Sequence, residues 1–165
     1  MPIKGKASPL TLDMNYPRYL IAIMVIAIQS LRLEAEVPLR MVDAVGEAES
    51  RNTPGSIGDQ GSALSAFQIW ESAWRDANQF RVSRGQDFIP RRYWNDHELS
   101  RQICKSILEM HEARMIKDGI KPTPTSLYLA YTMGYAGAKK ISFSPAYAPA
   151  VKRKGLARFL DAYSR

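Results

Sequence analysis

The chain has 165 residues, of which 45 % are apolar, 24 % charged and 10 % aromatic; that mixture excludes a fibrous or disordered chain and is enough for one domain with a real core. Twenty-three Lys and Arg against sixteen Asp and Glu give a net charge of +7, which favours a polyanionic neighbour such as nucleic acid, a membrane surface or an anionic cell wall without choosing among them. A single cysteine, Cys104, excludes an internal disulfide, and the two histidines, His97 and His111, stand in no metal-ligand spacing, so neither a metal nor another cofactor is expected.

Residues 20–28, LIAIMVIAI, form an apolar run preceded by Lys4, Lys6 and Arg18. Nine residues are too few to span a bilayer, which takes about 20, so no stable membrane span is expected. A basic start, a short apolar stretch and then small or polar residues is the order of a secretory signal, with Met14 as a start and Ala35 as a cleavage point, although Leu33 is larger than that pattern wants. The competing reading makes the run a buried helix or strand. On the export reading, residues 1–35 are a leader, residues 36–165 are the domain, and the protein is periplasmic or extracellular.

Pro38 suits the start of a helix that should run to Ser50. Arg51–Gly61, rich in Pro, Gly, Asn and Asp, predicts a loop or short β-turn element. Phe67, Trp70, Trp74 and Ala77 recur at three and four positions and predict a second helix. A third is expected from Asp96 to Lys117, with Leu99, Ile103, Ile107 and Met110 inward, an Asn95–Glu98 capping box at its start and Gly119 at its end. Cys104 falls in that pattern and reads as a small buried thiol. Thr123 and Pro124 begin a fourth helix, which Gly134 stops; a fifth runs from Pro149 to Tyr163. The fold class is mainly α.

Two carboxylates close the first helix, and rotation of 100° per residue separates them. Leu39, Val42, Val45 and Gly46 share one side, and Glu49 continues that series toward the core. Arg40, Asp43 and Glu47 recur on the other side, so Glu47 reads as an exposed acid among charged neighbours. A carboxyl on an apolar face is costly to ionise, and one that keeps its proton can give it to a leaving oxygen and later take one from an attacking hydroxyl. The ordinary alternative for Glu49 is a buried pair with an arginine or a helix cap.

The stretch from Glu49 to Lys140 resembles the soluble lytic transglycosylases and goose-type lysozymes. Glu49 and Ser50 match the family's Glu-Ser at a helix end, RNTPGSIGDQG its turn segment, ALSAFQI its AMGLMQI-like motif, and YLAYTMGYAGAKK its AYNAGPGAVRR. Tyr131 and Gly134 match while Thr132 replaces an Asn, which puts contacts near the reactive sugar in doubt. The resemblance implies a lysozyme-like helical domain with a short loop or β-turn element after the catalytic helix. It also implies a peptidoglycan-cleaving activity in which Glu49 is the catalytic acid and base. Ser65, Phe67 and Gln68 would then line the sugar groove, Tyr131 would bond or position Glu49, and Thr132 would stand beside the substrate. The partner so implied is a peptidoglycan strand and not nucleic acid.

In that family one glutamate suffices, because the substrate's own acetamido group and 6-hydroxyl complete the reaction and leave a 1,6-anhydro end. Asp59 is the candidate second carboxylate for a hydrolytic lysozyme; its other reading is a turn former. Trp70, Trp74, Tyr93 and Trp94 are either core or flat surfaces for sugar rings. The competing class is a non-enzymatic basic module. In it Lys139, Lys140, Lys152, Arg153, Lys154 and Arg158 would meet phosphates, with Tyr135, Phe143 and Tyr147 stacking bases.

Overall fold

Pro38 stands in extended backbone just ahead of the first helix, and its carbonyl accepts from the Met41 N–H at 2.8 Å. The computed structural model describes residues 37–165. The apolar run at 20–28, the signal reading from Met14 and the cleavage point at Ala35 lie outside the described residues.

Helix α1, Leu39–Ser50, buries Val42, Val45 and Gly46 as its periodicity requires, whereas Leu39 in its first turn is exposed. The chain leaves α1 through Arg51 and Asn52 in left-handed backbone (φ 57° and 54°), and the Asn52 N–H closes back on the Gly46 carbonyl at 3.0 Å. A small antiparallel sheet follows: β1 Ile57–Gly58, β2 Ala63–Leu64 and β3 Ile69–Trp70, paired in that order with Ile57 opposite Leu64 and Ala63 opposite Trp70. The sheet thus extends beyond Gly61, where the turn composition ends.

Helix α2 is Glu71–Ser83, so the helix expected from Phe67 begins four residues late. Ser65 and Gln68 adopt φ of 75° and 52°, which no right-handed helix contains, and Ile69–Trp70 are committed to the sheet. Phe67, Trp74 and Ala77 are nevertheless buried, because the turn at Phe67 drops its ring into the same core that α2 faces. Trp70 is not: at 52 % exposure it stands outside.

Helix α3, His97–Lys117, is capped by the Asp96 carboxylate accepting from the Leu99 N–H, one residue later than the box expected at Asn95. Ile103, Cys104 and Ile107 are buried along it. Helix α4, Pro124–Met133, starts at a Thr123–Ser126 capping box and ends at Gly134. A short α5, Tyr135–Lys140, restarts at once, and α6, Ala150–Ser164, follows. Helix α6 packs on α1 and α4, and α3 on α2 and α4, around a core that includes Val42, Phe67, Leu108, Tyr128 and Phe159. The described residues are therefore mainly α-helical, with one small sheet. No helix among them is long and apolar enough to cross a membrane.

Candidate active site

The last turn of α1 brings Glu49 half-buried against α4, where the Tyr128 hydroxyl donates to its Oε1 at 2.6 Å. Tyr128 is almost wholly buried and lies flat on Phe159 of α6, with ring centroids 4.6 Å apart. Burial, with the Glu49 carboxylate next in effect, pushes the Tyr128 hydroxyl far above its usual range, so it remains a donor. Its hydroxyl fits because α6 carries Gly155 there: a Cβ on Gly155 would sit 2.7 Å from the Tyr128 oxygen.

Ser50 anchors the same turn. Its hydroxyl donates to the Ala66 carbonyl at 2.7 Å and accepts from the Thr53 N–H at 3.0 Å, tying the end of α1 to the segment between β2 and β3. In that segment Ser65 and Phe67 are buried, so neither side chain faces solvent. Gln68 has its amide N–H groups turned to the Ser56 hydroxyl (3.2 Å) and the Ser65 carbonyl (3.0 Å), while its oxygen occupies the space beside Gly58 that a Cβ would fill, 1.9 Å away. The amide is thus spent on holding the loop. What Gln68 offers outward is its place on the wall of a cleft.

That cleft, of about 190 Å3, is lined by Gln68, Trp70, Tyr131, His111, Arg114 and Tyr135, among others; Glu49 is not on its wall. Tyr131 stands between the two. Its hydroxyl donates to the Phe67 carbonyl at 2.7 Å, and burial, with Cys104 and then Glu49 as lesser influences, pushes it well above its ordinary range. The bond to Glu49 expected of Tyr131 is therefore made by Tyr128, one turn earlier on the same helix. Thr132 is half-buried, with its hydroxyl oxygen enclosed and unpartnered, so it does not present a polar group as an Asn amide would.

Glu47 is half-buried, not exposed, and its side of α1 is structural. Asp43 there is gripped by both ends of the Arg101 guanidinium at 2.7 and 2.8 Å, and Arg40 lies over the Tyr163 ring. Asp59 is exposed at the tip between β1 and β2, in left-handed backbone (φ 45°), with its carbonyl accepting from Ser62. Cys104 is buried, and burial pushes its thiol far above the usual range, so it has no thiolate character. Among the described residues no three His, Cys, Asp or Glu side chains gather as a metal site would need.

Two participants escaped the sequence: Tyr128, hidden as one more aromatic in an apolar helix, and His111, which is 5 % exposed on the floor of the cleft. No family model, curated protein or solved structure matches the chain.

Proposed function

We propose that the chain is an exported, lysozyme-like peptidoglycan lytic transglycosylase with Glu49 as its single acid and base. The observation that carries this reading is the half-buried Glu49 carboxyl, fixed through one oxygen by Tyr128 at 2.6 Å at the end of α1. The second oxygen is left to handle a proton. In the reaction Glu49 protonates the glycosidic oxygen as the bond to the anomeric carbon breaks, with the substrate's acetamido oxygen assisting. The ionised Glu49 then takes the proton of the sugar's 6-hydroxyl as that oxygen closes on the same carbon, giving the 1,6-anhydro end.

Loop order supports the reading. Ser50, Gln68 and Tyr131 all spend their polar groups on the segment Ser65–Phe67, which keeps the cleft wall and the end of α1 in one fixed relation. The polyanion-binding alternative is weaker: Lys139 is paired with Asp118, Arg153 and Arg158 donate to the carbonyls of Ala148 and Ala48, and Phe143 is buried.

Glu49→Gln is expected to fold and to release no soluble fragments from peptidoglycan, while Glu47→Gln continues to digest it. Mass spectrometry of the wild-type products separates anhydro ends from the reducing ends of a hydrolytic lysozyme. Undiminished digestion by Glu49→Gln would refute the proposal.

A further inference from the structure

The groove continues past the cleft beside Tyr131. That cleft shares Asp76, Met110 and Arg114 with a second one of about 420 Å3, which runs on between α2 and α3 past Phe80 and Lys117. Most acids near it are already taken. Asp118 binds Lys139 and Tyr135, and Glu109 binds Lys105 at 2.9 Å. Arg114 and Lys117, three positions apart on one face of α3, make no ion pair among the described residues. Against these two cations the outer groove sets one acid, Asp76, so its wall is net positive.

A second observation comes from the inner floor. His111 is buried, and its Nδ1 is enclosed with no partner. Burial, and then the charge of Arg114, lower its pKa to about 4, so the ring is neutral near pH 7. A neutral imidazole keeps one N–H and one lone pair, and His111 brings that ring to the wall of the cleft it lines. The groove therefore offers one neutral imidazole and two cations, alongside the apolar surfaces of Phe80, Met110 and Ala113. It is suited to a ligand that carries carbonyls, carboxylates and small apolar groups.

We infer that the groove between α2 and α3 binds an acidic peptide attached to the glycan, with its carboxylates at Arg114 and Lys117 and a peptide group at His111. The inference rests on the peptidoglycan reading, since a wall glycan carries such peptides close to the bond that is cut.

The test uses the full chain as Glu49→Gln, so that nothing is cleaved, and two probes: disaccharide–peptide fragments of peptidoglycan, and the same disaccharides stripped of peptide. Calorimetry should give the peptide-bearing fragment an affinity about fivefold higher or more. That preference should fall toward one in Lys117→Glu and Arg114→Glu, both exposed helix positions, and in high salt. Equal affinities, no binding of either probe, or a preference that survives both charge reversals overturns the inference. The peptidoglycan reading fails separately. Equal cutting of stripped and peptide-bearing strands by the wild-type chain leaves it standing without the peptide groove, while peptide-dependent binding with no cleavage products does the reverse.

Discussion

At the scale of single residues, the Tyr128 hydroxyl is the one hydrogen-bond donor to the Glu49 carboxyl among the described residues. Tyr128→Phe keeps the ring on Phe159 and removes only the donor. It is expected to lower the rate of glycan cutting about tenfold to a hundredfold and the melting temperature by several degrees, because a hydrogen bond to a charged group is worth about 1.5–3 kcal/mol. Equal rates for the two proteins would remove Tyr128 from the site. His111 gives a pH signature of its own. Its pKa of about 4 in the folded chain lies below the ordinary 6.5, so the unfolded chain binds more protons between those values. Stability from this group is complete above about pH 6.5 and is lost as pH falls toward 4, by about 3 kcal/mol in full. Urea unfolding from pH 7 to pH 4 should show that decline, and His111→Phe should lack it.

At the scale of elements, α6 sets how far Tyr128 can reach. Gly155→Ala adds a methyl where the Tyr128 oxygen now lies, and the tyrosine, pinned by Phe159, has little room to retreat. Alanine favours a helix over glycine by about 1 kcal/mol, so the stability change is a contest between propensity and crowding, whereas the effect on activity has one sign. Glycan cutting should fall even if the melting temperature holds. The elements also divide by how legible they were. Helices α3, α4 and α6 are long or strongly capped, and their periodicity placed them within a residue or two. Helix α2 was read too early because the aromatic spacing continues through Phe67 and Trp70, although left-handed backbone at Ser65 and Gln68 forbids a helix there. Helix α5 has six residues, too few to display a period, and the strands have two each.

At the scale of the whole molecule, the net charge of +7 favours polyanions in general, so on the peptidoglycan proposal digestion of intact wall should weaken steadily with added salt while cutting of a small neutral glycan fragment should not. Parallel salt series on the two substrates check this. Of the candidate site, Glu49 was legible because a carboxylate interrupts an apolar face within twelve residues of helix. Its partner was not, since the two are 79 positions apart and only the tertiary fold, with α6 packed on both α1 and α4, brings them together. The same long reach has a consequence during synthesis. Glu49 leaves the ribosome first, Tyr128 79 residues later, and the helix whose Gly155 and Phe159 seat that tyrosine later still. A chain made only as far as α4 therefore carries its acid unaimed, and the Glu49–Tyr128 pair gains its support only after α6 has followed.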